Sequence, residues 1–304
     1  FVRYWHPDAA FWFESEFWPN LLSAVASSGA PLVLLNGRIS DRSFRRWQRA
    51  LWFIRPILRL FTLSLGQTKE DTQRLKKLGA KQALYVGNLK YAAVPAVFDA
   101  TELTTLKEQI GSRPCWCAGS THADEEARLA DVHIRLKQQF KGLLWICSPR
   151  HPTRGDMLEK MFLSKGLQVA RRSRHEPLTP QTDVYLADTI GEMGLIYQLA
   201  PLVFVGGSLI PFGGQNMLEP MRFKRVVFVG PHPFNFKEIM AAALADQAII
   251  QVKDEKELEQ RMAFFLTHAD SVRAVSERAQ RVALSEMAVL ERIYTALCEQ
   301  VEVF

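Results

Sequence analysis

Short apolar runs recur along this 304-residue chain, and each is followed by a small or polar residue and then by a helical pattern. The runs are four or five residues long and occupy residues 10–13, 31–35, 62–65, 83–86, 143–147, 183–186, 202–205 and 226–229. Strands of this length that alternate with helices form parallel βαβ units. The pattern therefore predicts an α/β protein with two doubly wound, Rossmann-like domains.

A break in this pattern predicts the boundary between the domains. Pro95 and several small residues follow segment 87–90 and interrupt the periodicity before a charged helix begins near Thr101. We expect residues 1–94 to form the first domain, and residues 95–304 to form the second domain with its closing helices. The first domain would hold only about four strands, fewer than a complete doubly wound half. Because the chain also begins without Met, we expect this domain to be incomplete and upstream sequence to be missing.

Composition excludes several classes of protein. Hydrophobic residues make up 48% of the chain and charged residues 23%, which is typical of a folded domain. Arg55 and Arg59 interrupt the most hydrophobic stretch, so the sequence predicts no transmembrane helix, and no signal peptide is recognisable. Cys115 and Cys117 alternate on a predicted strand, and we expect reduced thiols and no zinc site. The absence of Asp-x-Asp spacing also predicts no divalent cation held by such a motif.

The positive charge is concentrated in one segment. The chain has 38 basic and 32 acidic residues, and residues 38–61 contain seven arginines against the single acid Asp41, so the rest of the chain is balanced. A helix here would have an arginine-rich face and an apolar face, as do helices that lie on anionic membranes. The residues expected at the membrane surface are Arg42, Arg45, Arg46, Arg49, Trp52 and Arg55. The alternatives are a helix that packs its apolar face on a core, and nucleic-acid binding, which no accompanying motif supports.

The glycine-rich segment 203–220 is the most informative for function. Two Gly-Gly pairs, at 206–207 and 213–214, flank one loop between a predicted strand and a predicted helix. Glycines let a backbone approach a ligand closely, and N–H groups at a helix start favour a phosphate oxygen. Glu219, about one turn into the helix, is placed to accept hydrogen bonds from ribose hydroxyls. The alternative is tight packing of strand and helix, with a glutamate that stabilises the first turn.

Two further segments place polar groups after predicted strands. Thr189 and Glu192 have capping-box spacing, which is explained either by a helix start or by N–H groups aimed at a cleft. Arg150 and His151 follow another strand, at the edge where open α/β sheets bind ligands. A histidine in this position is usually structural, but the neighbouring arginine favours anion binding.

Two glutamates close the first predicted strand. Glu14 and Glu16 would point the same way in an extended chain, and nearby aromatic rings would raise a carboxyl pKa toward values suited to proton transfer. The alternative is a pair of polar residues that end the strand before a helix that begins near Pro19. Geometry alone favours this alternative.

These segments together resemble the 3-deoxy-D-manno-octulosonic acid (Kdo) transferases of bacterial lipopolysaccharide assembly, which are GT-B glycosyltransferases. The matching stretches follow the family order: Glu-Ser-Glu-Phe-Trp-Pro-Asn at 14–20, Asn-Gly-Arg-Ile-Ser at 36–40, Gly-Asn-Leu-Lys at 87–90, Ala-Gly-Ser-Thr-His at 118–122, Pro-Arg-His-Pro at 149–152, Asp-Thr-Ile-Gly-Glu-Met at 188–193, Phe-Val-Gly-Gly-Ser-Leu at 204–209, Gly-Gly-Gln-Asn at 213–216 with Leu-Glu-Pro at 218–220, and Gly-Pro-His-Pro-Phe-Asn-Phe at 230–236. Ordered matches of this number are far more specific than any single one.

The resemblance implies an inverting, metal-independent transfer of Kdo from CMP-Kdo to a lipid A precursor, lipid IVA, at the cytoplasmic face of the bacterial inner membrane. No cofactor would be needed; the first domain would serve the acceptor and the second domain the donor. The donor site implied by the resemblance comprises Ser120, Arg150, His151, Gly191, Glu192, Met193, Gly213, Gly214, Gln215, Asn216, Glu219 and Asn235. Gln215 stands where the family usually has a histidine.

The resemblance also implies an upstream membrane anchor and an upstream Gly-Glu that supplies the general base. Neither precedes Phe1, so we expect Glu14 and Glu16 at most to assist proton removal. Two other functions stay open from the sequence. One is a non-catalytic fragment that binds nucleotide or lipid, and the other is a different GT-B enzyme, such as a sugar-nucleotide epimerase.

Overall fold

The computed structural model describes residues 2–92 and 98–301. The chain divides into two compact units. The first unit combines Phe1–Ala93 with the carboxyl-terminal Ser285–Phe304, and the second unit is Val94–Leu284.

This division differs from the predicted one at the carboxyl end. The predicted boundary after residue 94 lies outside the described residues. The assignment of all of residues 95–304 to the second domain is wrong, because the last helix packs on the first unit. Val289 and Ile293 of that helix share a buried cluster with strand residues such as Val33.

The described residues form eleven strands: β1 (Ala10–Phe13), β2 (Leu32–Gly37), β3 (Phe61–Gly66), β4 (Ala83–Leu84), β5 (Cys115–Thr121), β6 (Leu144–Pro149), β7 (Val169–Arg171), β8 (Val184–Leu186), β9 (Leu202–Val205), β10 (Val226–Val229) and β11 (Ile250–Gln251). They also form fourteen α-helices: α1 (Val2–Trp5), α2 (Pro19–Ala26), α3 (Asp41–Arg49), α4 (Leu51–Leu58), α5 (Lys69–Leu78), α6 (Ala100–Ile110), α7 (Glu125–Gln139), α8 (Gly155–Ser164), α9 (Met193–Ile196), α10 (Leu218–Arg222), α11 (Lys237–Ala245), α12 (Glu255–Thr267), α13 (Ala269–Met287) and α14 (Val289–Gln300). Each predicted apolar run lies in one of these strands, with ends displaced by at most two residues.

The first unit contains a parallel sheet in the order β1-β2-β3-β4. Side chains of β2 alternate between the two faces of this sheet. Leu32 and Leu34 pack with residues of α2, α4 and α5, whereas Val33 and Leu35 pack with α14. Helices therefore cover both faces, which explains why the whole of β2 is buried.

The second unit contains a seven-stranded parallel sheet in the order β11-β10-β9-β5-β6-β8-β7. The pattern of apolar runs misses three strands: β7 and β11, which are edge strands of two or three residues, and the central β5, which the alternation of Cys115 and Cys117 predicted instead. The chain passes from β5 to β6 on one side and later returns to β9 on the other side of β5. Such a reversal creates a crevice at the carboxyl ends of the two central strands, where open parallel sheets bind ligands.

One titratable side chain lies inside the core of the second unit. The indole rings of Trp116 and Trp145 stack with centroids 5.2 Å apart, and the Nε1–H group of Trp116 donates a hydrogen bond to Nδ1 of His133 at 3.2 Å. His133 is fully buried, and burial lowers the pKa of its imidazole to about 3. The imidazole is therefore neutral at physiological pH.

This burial predicts a loss of stability in mild acid. The unfolded chain binds a proton at His133 below a pH of about 6.5, whereas the folded chain resists protonation down to about 3. Stability therefore falls as the pH drops through this window, and His133 accounts for about 2 kcal/mol of the loss between pH 7 and pH 5. Denaturant unfolding at both pH values, on the wild type and on His133→Asn, measures this contribution. The asparagine keeps an acceptor for Trp116, and an equal pH effect in both proteins would contradict the assignment.

Candidate functional site

The candidate site is built from turns at the carboxyl edge of the second sheet. His122 follows β5, Arg150 follows β6, Gly191 follows β8 and Gly206 follows β9. Because β5 lies between β6 and β9, three of these turns are neighbours. The sheet topology therefore brings together segments that the sequence places far apart.

His122 lies at the centre of this edge, although it was not among the predicted site residues. Its ring packs on Phe212 with centroids 3.9 Å apart and meets the edge of the His151 ring at 6.2 Å. Its Nε2 atom lies 2.8 Å from Nε2 of Gln215, at hydrogen-bond distance. Burial lowers the pKa of His122, and the nearby His151 and Arg150 lower it further. The signal that sequence reasoning passed over is its position at the end of the central strand.

Arg150 differs from the other arginine on this turn. Its backbone N–H group donates to the Thr121 carbonyl at 2.9 Å, and its exposed guanidinium forms no hydrogen bond or ion pair within the described chain. Arg154 instead holds the buried Glu126 carboxylate through two contacts of 2.5 and 3.2 Å. Arg150 is thus the cation here that is available to an external anion.

The turn after β9, which contains the first Gly-Gly pair, does not offer its N–H groups to a phosphate. The carboxylate of Glu125, which is fully buried, already accepts hydrogen bonds from the N–H groups of Gly207, Ser208 and Leu209 at 2.6, 3.0 and 2.9 Å. It also accepts one from the N–H group of His122 at 3.2 Å. This anion site is therefore filled from within the protein.

The second Gly-Gly pair is close to Asn235, another predicted site residue. Gly213 has a φ angle of +108°, and its carbonyl accepts the N–H group of Asn235 at 3.0 Å. A Cβ atom at Gly213 would overlap the Asn235 side-chain amide. Gly214 donates its N–H group to the Gly207 carbonyl at 2.7 Å, while the side chain of Asn216 accepts the N–H group of Leu218. These contacts fold the loop back on itself.

Glu219 and Ser120 lie near the phenol of Tyr197. Burial raises the pKa of the Tyr197 phenol, the Glu219 carboxylate acts in the same direction, and the Ser120 side chain acts in the opposite direction. Burial raises the pKa of Glu219, while Arg222 acts in the opposite direction. No group of the described chain donates a hydrogen bond to this carboxylate, so it has acceptor capacity for a ligand.

The turn after β8 is held by ion pairs instead of by a capping box. The Glu192 carboxylate contacts Arg172 at 2.7 and 3.2 Å and also bonds to the Thr189 hydroxyl, but the helix start at Met193 has no side-chain cap. Arg172 lowers the pKa of Glu192. Open space surrounds Gly191. A ligand here would therefore meet the backbone of this turn and not the Glu192 carboxylate.

The two glutamates after β1 do not form the expected pair in an extended chain. Glu14 lies in a turn with a φ angle of +57°, and its carboxylate pairs with Lys90 at 2.5 Å. This partner lowers the pKa of Glu14, opposite to the increase predicted from the nearby rings. Glu16 accepts a hydrogen bond from the Trp18 indole at 3.1 Å.

The arginine-rich segment forms two helices, α3 and α4, which are separated at Ala50. The residues predicted to face a membrane are all exposed, and with Arg59 they form what we call the arginine surface: Arg42, Arg45, Arg46, Arg49, Trp52, Arg55 and Arg59. Within the described chain none of these arginines has an acidic partner, because the Asp41 carboxylate pairs with Arg74. Ile54, Ile57 and Leu58 of α4 are buried in the core, as the alternative interpretation expects, but Trp52 is 79% exposed. None of the described helices is long and apolar enough to span a bilayer.

Two units that each have a parallel sheet covered by helices, the second with a topological switch point in its sheet, are typical of the GT-B class of fold. A glycosyltransferase from Rickettsia africae has this fold, with a TM-score of 0.62 over 99% of this chain and 78% of that protein, at 13% identity. The predicted fold class is thereby confirmed.

The chain belongs to the 3-deoxy-D-manno-octulosonic acid transferase family, as the matching stretches indicated. Residues 1–93 match the family model for 3-deoxy-D-manno-octulosonic-acid transferase (kdotransferase). The transferase of Haemophilus influenzae is 31% identical over 98% of this chain and 70% of its own length. That of Rickettsia felis is 30% identical over 96% of this chain, and this chain spans 63% of its length.

A solved structure resembles a large part of the chain. The C-terminal CMP-Kdo binding domain of WaaA from Acinetobacter baumannii is 31% identical, with a TM-score of 0.58, over 60% of this chain and 96% of that domain. The roles of the individual site residues stay predictions.

Substitution of Gly213 tests the geometry of the loop. We expect Gly213→Ala to lower the free energy of unfolding by about 2 kcal/mol, because about 1 kcal/mol of backbone strain adds to about 1 kcal/mol for moving the exposed Asn235 side chain out of the overlap. Gly142 has a φ angle of +74° but open space around it, so Gly142→Ala should lower the free energy of unfolding by the backbone strain alone. Denaturant unfolding of both variants measures the difference. Equal losses would mean that the loop does not pack on Asn235 as described.

Proposed function

We propose that the full-length protein transfers Kdo from CMP-Kdo to the lipid A precursor lipid IVA, in lipopolysaccharide biosynthesis at the cytoplasmic face of the inner membrane. The observation that carries this proposal is the 31% identity, over 60% of this chain, to a CMP-Kdo binding domain, of which this chain covers 96%. The unpaired Arg150 guanidinium at the switch-point crevice supports it, because the donor carries a phosphate.

In this proposal the acceptor hydroxyl oxygen attacks the anomeric carbon of Kdo while the bond from that carbon to the CMP phosphate oxygen breaks. The configuration inverts, CMP leaves with the bonding electron pair, and the hydroxyl proton passes to a carboxylate base. Neither metal ion nor cofactor is assigned a role. Glu14 and Glu16 keep an assisting role only, since Lys90 stabilises the charged form of Glu14 and weakens it as a base.

The second unit would stabilise the charge that develops on CMP. Arg150 and the N–H groups at 191–193 are assigned to the phosphate, because preorganised donors act most strongly where negative charge develops. The free Glu219 carboxylate is assigned to the ribose hydroxyls, and residues 213–216 to the cytidine. Ser120, His151 and Asn235 would complete the walls of this site.

Titration of CMP into the chain tests the donor site. We expect Arg150→Ala and Glu219→Ala each to weaken CMP binding about 10- to 100-fold, because each removes charge-assisted hydrogen bonds worth about 1.5–3 kcal/mol. Arg128→Ala is the matched control, since Arg128 pairs with Glu255 on the outer surface of the same unit. Calorimetry measures the affinities. Preference for UDP over CMP, or unchanged affinity in both site variants, would overturn the assignment.

We also propose that the arginine surface binds anionic lipid headgroups. Its arginines are exposed and lack acidic partners, and Trp52 extends an indole ring from the same helices. Arginines near an anionic bilayer contribute about 1 kcal/mol each, and indole rings favour the interface. This combination supports contact with the membrane that contains the lipid acceptor.

Vesicle binding tests this contact. Replacement of Arg45, Arg46 and Arg49 by glutamine should weaken binding to phosphatidylglycerol-containing vesicles about 100-fold, since about 3 kcal/mol of attraction is lost. A control with glutamine at Arg261, Arg273 and Arg281 removes the same charge from exposed positions elsewhere. Cosedimentation at low and high salt gives the affinities. An equal loss in both triple variants would show that net charge, not this surface, governs binding.

A further inference from the structure

Glu125 and Glu126 are adjacent buried carboxylates at the start of α7, but they have different partners. Glu126 pairs with the Arg154 side chain and accepts the Thr121 hydroxyl. Among the described residues Glu125 has no cationic partner and accepts only backbone N–H groups, three from the turn after β9 and one from the turn after β5. Its charge therefore serves to hold two turns and not to neutralise a cation.

The turn that Glu125 holds is the attachment point of two later loops. The carbonyl of Gly207 accepts the N–H group of Gly214 at 2.7 Å. The carbonyl of Ser208 accepts the N–H group of His232 at 3.0 Å, and the Ser208 hydroxyl accepts the N–H group of Gly230 at 2.9 Å. Displacement of this turn would therefore move the second Gly-Gly pair and the segment after β10.

The same carboxylate also holds both partners of the contact between His122 and Gln215. It binds the backbone of His122 directly, and it binds Gly207, whose carbonyl in turn fixes the loop that carries Gln215. Hydrogen bonds to an ionised acceptor in a buried environment are stronger than neutral ones. One side chain thus sets the positions of two loops that meet over the crevice.

We infer that Glu125 is a positioning residue of the donor site, which holds the turns after β5 and β9 so that His122, Gln215 and the second Gly-Gly pair lie in binding geometry. This inference rests on the proposed donor site for its functional meaning. Glu125 itself does not touch the donor, because its carboxylate is fully enclosed by the backbone that it binds.

Glu125→Gln tests this role with Glu126→Gln as the matched control. The single oxygen of the glutamine amide can accept only some of the four backbone N–H groups that the Glu125 carboxylate binds. The NH2 group of the amide then faces the remaining N–H groups, donor against donor, and cannot bond to them. We expect amide hydrogen exchange at residues 207–209 and 214 to accelerate at least about tenfold, and CMP affinity to fall about tenfold or more. Glu126→Gln removes an equally buried charge and should lower the melting temperature, while exchange at these amides and CMP affinity stay within about twofold.

Rescue experiments separate positioning from general stability. Glu125→Ala leaves space for a small carboxylate, so added formate should restore slow exchange and CMP affinity, whereas added chloride should not. If Glu125→Gln does not fold, Glu125→Asp keeps the charge but shortens its reach, and faster exchange at the same amides is expected. Unchanged exchange in the Gln or Asp variant, or equal effects in Glu126→Gln, would overturn the inference. If the wild-type chain does not bind CMP, the proposed donor fails, and the exchange rates alone decide the role of Glu125.

Discussion

The candidate site depends on a close approach between two backbone turns. Gly206 follows β9 and donates its N–H group to the Gly119 carbonyl at 2.9 Å, and a Cβ atom at Gly206 would overlap the backbone of Ser120. Only a residue without a side chain lets the turns after the two central strands meet. The strand order makes these turns neighbours, and the glycine lets them touch. The loops that carry His122 and Gln215 begin beside this contact.

Hydrogen bonds and ion pairs within the protein then determine which groups at this edge remain for a ligand. Glu125 is satisfied by backbone N–H groups, Glu126 by Arg154, and Glu192 by Arg172. Within the described residues the Arg150 guanidinium and the Glu219 carboxylate have no such hydrogen bonds. One cation and one free acceptor suit a ligand that carries a phosphate and hydroxyl groups.

The sequence predicts elements well where the signal is local and fails where it depends on partners far along the chain. Apolar runs identify β9 and β10 to the residue because a buried parallel strand is apolar throughout. The sequence does not show that the N–H groups at the first Gly-Gly pair are already bound, because their acceptor, Glu125, lies 82 residues earlier than Gly207. Glu14 and its partner Lys90 illustrate the same difficulty. The spacing of residues in the sequence predicts neither pairing, since both pairings depend on how the strands are ordered in the sheets.

The arginine surface destabilises the helices that carry it, because its like charges repel one another. Its residues include three like-charge pairs at i, i+4 spacing, namely Arg42 with Arg46, Arg45 with Arg49, and Arg55 with Arg59. Each such pair destabilises a helix by about 0.2–0.5 kcal/mol, so the fold itself gains nothing from this arrangement. An extended anionic surface would relieve the repulsion along both helices at once, whereas a single phosphate would reach only part of it. The spacing of unpaired cations therefore separates the two proposed partners: the isolated Arg150 suits one nucleotide, and the distributed arginines suit a membrane.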